Sequence, residues 1–502
     1  MNRYILAIDQ GTSSTKTIVF DEQGAAIARG SVPLKTNYFG EGFVEQNPED
    51  IYRNVIDSVA ACLQNFKSKG GKKEEIISCG ISNQRETFIV WDKFGKPLHN
   101  AIVWQCKRSV AVCDSLKEQG IESAIRQKTG LLIDPYFSGT KMVWLYQNNR
   151  EIKNAVDDGE ALFGTVDTWL LYKLTGGKAY KTDYTNASRT LFFNLESLDW
   201  DKQIPADFQI SGLKLPELQP SSSYFGKSNF EGLFAEPIAI DAMIGDSHAA
   251  AFGEGCFKAG TAKATLGTGC SILMNVGQVL KLSGKGMVTT ICWSTEQEVS
   301  YAQEGVIVSC GSTIEWLKNE LGLLKNVADA ETMALSVEDN GGVYLIPAFS
   351  GLGAPHWDMK RKAEIGGITF SSNKNHIVRA ALESIPYQIM DVVRAMEEDT
   401  GIRLNELRVN GGITSNQFVM QSLSGLLQRK IMCMDQPDIS ALGAGYLAGL
   451  RCGVFKGLDH LDRLQKHKEV KIMEDVHIRK GYEKWKMHLG QVADDNRVSL
   501  TR

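Results

Sequence analysis

The chain has 502 residues, 43% of them hydrophobic and 23% charged, with 48 glycines and 12 prolines. That length exceeds what one hydrophobic core sustains, about 250–300 residues, so two large domains or three average ones are expected. Fifty-five basic against 59 acidic residues leave a formal charge of -4, with no basic surplus to hold a nucleic-acid backbone or an anionic membrane surface.

No apolar run approaches the roughly 20 residues of a membrane span. Met1-Asn2-Arg3-Tyr4 leads straight into a strand-like segment and not into a signal peptide, so a cytoplasmic protein is expected. Tyr4 to Gln10 and Thr15 to Phe20 are β-rich runs around the polar turn Gly11-Thr12-Ser13-Ser14, and a third run follows Glu22-Gln23-Gly24. This pattern predicts a β-meander. A P-loop would need a second glycine directly before the lysine and then a helix, and Gly11 to Lys16 supplies neither, which disfavours a Walker-type NTPase.

Asn47-Pro48-Glu49-Asp50 is a helix start, with Asn as cap and Pro in the first turn. Ile51, Val55, Val59 and Leu63 then predict a buried stripe. Glu75 to Ser82 reads as a strand that delivers Asn83-Gln84-Arg85-Glu86 at its end, where α/β proteins place ligand-binding groups. A hairpin like the first recurs at Ala264 to Met274, with Gly267, Thr268 and Gly269 at its turn. Two such turns, converging on one anion, would make a phosphate clamp between two related halves.

Pro386 interrupts the helical pattern from His376 to about Glu398, which predicts a kink or break near Leu382. Leu407 to Asn410 is a further strand, followed by Gly411-Gly412 and a helix capped from Thr414-Ser415-Asn416. Gly443-Ala444-Gly445-Tyr446-Leu447-Ala448 fits a dinucleotide pattern, but no strand directly precedes it. A small-residue helix packed closely under a ligand is the reading adopted. From Gly457 the tail is charged and helical. The ten cysteines form no CxxC pair and read as free thiols, Cys106 among them, buried beside Trp104.

Tyr136-Phe137-Ser138-Gly139-Thr140-Lys141-Met142-Val143-Trp144 and Ala363-Glu364-Ile365-Gly366-Gly367-Ile368 with His376 to Glu383 resemble the two signatures of the FGGY carbohydrate kinases. Asn83 to Thr87, Ile102 to Gln105, Asp134 to Lys141 and Pro347 to Leu352 are most similar to the glycerol kinases of that family. The resemblance runs from Asp9 to about Phe455. It implies two actin-like (ribonuclease H-like) α/β domains, residues 1–249 and 250–502, with ATP and an acceptor alcohol meeting in the cleft between them.

By the same resemblance Thr12, Ser13, Ser14 and Lys16 form the first phosphate loop, and Gly267 and Thr268 the second. Gly311, Glu315, Gly411, Gly412 and Asn416 frame the nucleotide. Asp246 is the general base, able to take the hydroxyl proton as it acidifies. Asp9 and Asp246 face Mg²⁺, through water, since this ion keeps much of its hydration shell. Arg85, Glu86, Trp104, Tyr136, Asp246, Ser247 and Ser271 line the acceptor site, and a homodimer or larger homo-oligomer is expected.

Several residues depart from the glycerol-kinase pattern. Lys16 replaces Arg, which loses the bidentate fork; Glu315 replaces Gln, and Asn410 a position that often holds Asp. On the acceptor side Ser247-His248 stands for Gln-Gln, Ser271 for Phe and Cys106 for Asp. The two serines should enlarge the pocket and make it more polar. Glycerol is therefore the first candidate acceptor, and a four- or five-carbon polyol or ketose the alternative. A nucleotide switch built on the same fold would have no use for Arg85, Glu86, Tyr136 and a cleft carboxylate.

Overall fold

The computed structural model describes residues 3–434, 436–472 and 475–498. The predicted meander is present: Tyr4–Gln10, Ser14–Phe20 and Ala26–Pro33 are antiparallel neighbours, with Asp9 opposite Lys16 and Gln10 opposite Thr15. Ile76–Asn83 adds parallel to the first strand, and Ile238–Gly245 adds parallel to that. Ser222–Ser228 closes the edge, antiparallel. The first strand is buried at most positions on both faces, as the near-continuous Ile-Leu-Ala-Ile run requires.

A second sheet repeats this order. Thr261–Leu266, Cys270–Gly277 and Val299–Ile307 form its meander, with Thr265 opposite Ser271. Glu406–Asn410 and Lys430–Met434 add in parallel, and His467–Val470 closes the edge antiparallel. Val288–Ser294 is an extra strand on the far side of the meander. Between the strands of the first sheet a five-stranded sheet is inserted, in which Phe88–Asp92 pairs with Ala161–Thr165 and with Ala101–Ile102. This insertion carries Trp104 and Tyr136.

The helix Pro48–Ser68 starts as expected, with the Asn47 side chain accepting from the Glu49 amide at 2.8 Å. Ile51, Val55 and Val59 are buried, while Leu63 packs at the edge of the core. Helix Lys374–Thr400 runs unbroken through Pro386. The predicted break is thus absent: a helix buried along most of its length recovers by packing the roughly 3 kcal/mol that an internal proline costs. The tail is helical at Leu458–Leu464 and Val476–Val498 but also contributes an edge strand. Ile478, Tyr482 and Trp485 fix its last helix against Ile346, Leu352 and Tyr387.

Helix Ile439–Arg451 lies against helix Asp246–Gly253, and here the glycines explain themselves. A Cβ on Gly443 would meet the Ala249 carbonyl oxygen at 1.8 Å, and one on Gly253 would meet that of Ile439 at 2.4 Å. The small-residue pattern therefore serves helix-on-helix contact, a correction to the expectation that it packs under a ligand. All ten cysteines are free thiols, and Cys106 is buried.

Candidate active site

The end of the first meander is tightly wired. Gln84 is a hub: its amide donates to the Gln10 carbonyl at 2.8 Å, and its side chain donates to Gln46 at 2.9 Å and Gln10 at 3.2 Å. Gln46 in turn donates to the Thr12 carbonyl at 2.7 Å. The Trp104 indole nitrogen donates to Thr12 Oγ1 at 2.9 Å. An aromatic residue of the expected acceptor site thus grips a hydroxyl of the expected phosphate loop.

Asp9, at the end of the first strand, accepts from the Ser82 hydroxyl at 2.9 Å. Burial and then the charge of Asp246 raise its pKa to about 6, while the Ser82 hydrogen bond opposes this. Asp246 opens helix Asp246–Gly253 and is still 39% exposed. Its Oδ1 accepts from its neighbour's amide, that of Ser247, at 2.6 Å and faces Arg85 Nε at 3.3 Å. No described residue donates to Oδ2, which leaves one carboxylate oxygen for an incoming hydroxyl.

Behind Asp246 four charges alternate. Arg85 is held by both oxygens of Glu304, at 2.9 and 3.2 Å. Arg189 donates to Glu86 at 2.6 Å and forms an ion pair with Glu304 at 2.9 Å. Glu86 is buried with φ of 58°, a left-handed conformation uncommon outside glycine that concentrates at functional sites. Its carbonyl accepts from Ser138 at 2.9 Å. The Tyr136 ring meets Trp104 edge-on at 5.7 Å and has Arg189 5.7 Å from its centre.

Ser271 Oγ lies 3.4 Å from Glu304. Ser247 Oγ and both ring nitrogens of His248 are buried without a partner among the described residues. Burial and the charge of Arg85 hold His248 neutral. All seven residues expected at the acceptor site are therefore linked, directly or through Glu304, Arg189 and Thr12.

Around the second hairpin Gly267 and Thr268 are exposed. The amides of Gly311 and Ser312, at the start of helix Gly311–Asn319, donate to their carbonyls at 2.9 and 3.1 Å. Gly411, with φ of 100°, abuts the hairpin: a Cβ there would meet the Leu266 carbonyl oxygen at 2.4 Å. Gly412 opens onto free space, and Asn416 caps helix Gln417–Leu427 through the Val419 amide at 3.0 Å.

Two expected nucleotide residues have ion-pair partners of their own. Lys16 Nζ pairs with Asp438 at 3.2 Å, beside Arg29 at 2.9 Å. Glu315 is exposed and faces Lys318 at 3.7 Å. Sequence reasoning missed Glu304 and Arg189. A lone acid in the run Tyr301-Ala302-Gln303-Glu304-Gly305-Val306-Ile307 was the available signal, since a charge inside a buried strand requires a partner; Arg189 offers none.

Residues 4–253 match the N-terminal domain of the FGGY family of carbohydrate kinases and residues 262–452 its C-terminal domain. The chain belongs to the FGGY family of carbohydrate kinases. As a member it is an ATP-dependent sugar or polyol kinase with the family's two-domain α/β fold. It is 45% identical to the glycerol kinase of Thermoanaerobacter pseudethanolicus over 493 residues, 97% of this chain and 98% of that protein. With the glycerol kinase of Brevibacillus brevis it shares 47% over 454 residues, 90% of each. The crystal structure of Plasmodium falciparum glycerol kinase with ADP superposes with a TM-score of 0.92 at 35% identity, covering 98% of both chains. No described helix of this FGGY kinase is long and apolar enough to cross a membrane.

Proposed function

We propose that this kinase transfers the γ-phosphoryl group of ATP to a terminal hydroxyl of glycerol, giving ADP and glycerol 3-phosphate. The observation that carries the reading is the half-exposed Asp246, oriented by Arg85 with one oxygen free, at the edge of a buried hydroxyl-reading cluster. The glycerol kinases to which the chain is 45–47% identical support it. Glu86 and Asp246 accept from acceptor hydroxyls, Arg85 and Tyr136 donate, Trp104 covers the carbon chain, and Ser247 and Ser271 line its far side. As the hydroxyl oxygen bonds to phosphorus, its proton passes to Asp246 and the bond to the ADP oxygen breaks. Thr12, Ser13 and Ser14 bind phosphate from one sheet, Gly267 and Thr268 from the other, and Gly311, Gly411, Gly412 and Asn416 border the nucleotide.

Asp9 and Asp246 fit Mg²⁺. They are hard oxygen donors whose mutual repulsion helps to raise Asp9, and among the described residues no cluster of three or more His, Cys, Asp or Glu forms a closed protein cage. That suits an ion held by one or two carboxylates, phosphates and water. When bound it neutralises the charge that develops on the transferring phosphoryl group. The same reading places the enzyme in the cytoplasm as a homodimer or larger homo-oligomer.

The buried, unpartnered atoms of Ser247 and His248 favour a second reading, an acceptor of four or five carbons whose additional hydroxyl would satisfy them. ADP release measured across glycerol, erythritol, threitol, erythrulose, xylulose, ribulose and gluconate decides. Glycerol should give the highest kcat/KM, and a longer polyol or ketose ahead of it establishes the second reading. ATP turnover that no acceptor stimulates and that survives Asp246→Asn would replace both with a nucleotide switch.

A further inference from the structure

We propose that Glu304 is a positioning residue through which the second sheet sets Arg85, so that the acceptor site is complete only when the two sheets are in register. This rests on the acceptor reading above. Arg85 follows the first-sheet strand Ile76–Asn83, and Glu304 lies on the second-sheet strand Val299–Ile307. Both side chains are nine-tenths or more buried. Glu304 occupies both terminal nitrogens of the guanidinium, and Asp246 the remaining Nε. A planar fork gripped on one edge has its other edge aimed, and here that edge faces the proposed base.

The same carboxylate reaches the opposite wall of the pocket. Its Oε2 pairs with Arg189 Nη2 at 2.9 Å, and the Nε of Arg189 holds Glu86 at 2.6 Å. One second-sheet residue thus orients both Arg85 and, through Arg189, Glu86. Burial alone would favour protonation, but Arg85 and Arg189 hold the Glu304 carboxyl far below the usual range, so Glu304 keeps its charge. A simple interdomain staple would weaken nucleotide and acceptor binding together. A positioning role acts on the acceptor alone.

The test uses the full chain. KM for glycerol and for ATP are measured by coupled ADP release for wild type, Glu304→Gln and Glu304→Asp, with melting temperatures alongside. Leaving buried arginines without their carboxylate should raise the glycerol KM of Glu304→Gln by at least about 30-fold, with the ATP KM within about threefold. Glu304→Asp keeps the charge but retracts it, and should fall between. If Glu304→Gln does not fold, Glu304→Asp alone decides, with an expected rise of about 10-fold in glycerol KM only. A glycerol KM unchanged in the folded variants, or parallel losses for both substrates, overturns the proposal while leaving the assigned reaction intact. Wild type that no polyol stimulates overturns the reaction as well.

Discussion

The hairpin at Gly11 to Ser14 and its counterpart at Gly267 to Gly269 occupy the same place in two sheets of the same strand order, yet they are built differently. The first is tied by side chains, with Gln10, Gln46, Gln84 and Trp104 converging on Thr12 or its neighbours. The second is fixed by backbone alone, and no described residue bonds the Thr268 hydroxyl. Behind the first lies a neutral amide network. Behind the second lie Lys263 and Glu254, buried and titratable, with Lys263 donating to Thr265 at 3.2 Å and Glu254 accepting from Asn410. One backbone design would thus serve two purposes on the proposed reading, the first turn joining phosphate to acceptor and the second open to nucleotide.

The acids that follow the second parallel strand extend the contrast. Asp246 starts a helix in the first half, and Asp438 directly precedes one in the second without capping it through its side chain. If only the first is chemical, Asp246→Asn should lower kcat by about 10³-fold, within the range for loss of a general base. Its ATP KM should stay within a few-fold, as initial rates at saturating acceptor would show. A kcat within tenfold of wild type would remove Asp246 from the proton transfer.

Next in size is a pH effect in the second half. Burial raises Glu254 to about 7, against the opposing charge of Lys263 and the Asn410 hydrogen bond. Its Oε2 is buried without a hydrogen-bond partner among the described residues, so burial outweighs these favourable contacts. A carboxyl raised in the folded state contributes stability below its unfolded pKa, about 4.3, and loses it as pH climbs through about 7. The shift amounts to about 4 kcal/mol. Glu254→Gln mimics the protonated form, so denaturant titrations from pH 4.5 to 7.5 should show wild type losing stability relative to the variant. Parallel curves would mean that Glu254 ionises freely in the fold.

Most of this architecture was legible because its signals are local. Hydrophobic alternation around Gly11 and Gly267, the Asn47-Pro48 start and the Asn416 cap each depend on a few adjacent residues. What was not legible depends on partners brought from afar. Lys16 finds Asp438 across 422 positions and Arg85 finds Glu304 across 219, and no periodicity encodes either. Pro386 differs in the other direction: of the kink or break its local rule predicts, the break does not occur, because burial of helix Lys374–Thr400 holds the helix together. The small residues at Gly443 to Ala448 were seen, but whether they faced ligand or helix could be settled only by Ala249 and Gly253.

The hairpins themselves can be compared by one substitution each. Thr12→Val leaves the buried side of Trp104 without its acceptor, at a cost of about 1–3 kcal/mol. Because Thr12 touches both functions, KM should rise for acceptor and ATP alike. Thr268→Val removes an exposed hydroxyl from a turn bound only through backbone, so the ATP KM alone should rise, by about 10-fold. Equal effects of the two variants on acceptor KM would erase the distinction between the turns.

The smallest effect is expected at Asp438. Its carboxylate is largely buried, but its partners Lys16 and Arg29 are 44% and 50% exposed, and ion pairs of that exposure contribute about 0–1 kcal/mol. Its φ of 57° is one that asparagine adopts nearly as readily, so Asp438→Asn removes the charge without adding strain. The melting temperature should fall by no more than about 3 °C. Lys16, released from its partner and opposite Asp9 in the hairpin register, should then be free to meet phosphate, and the ATP KM should fall or hold. A rise in ATP KM would mean that Asp438 holds Lys16 in its working position, and that the first hairpin depends on the second half of the chain as Arg85 does.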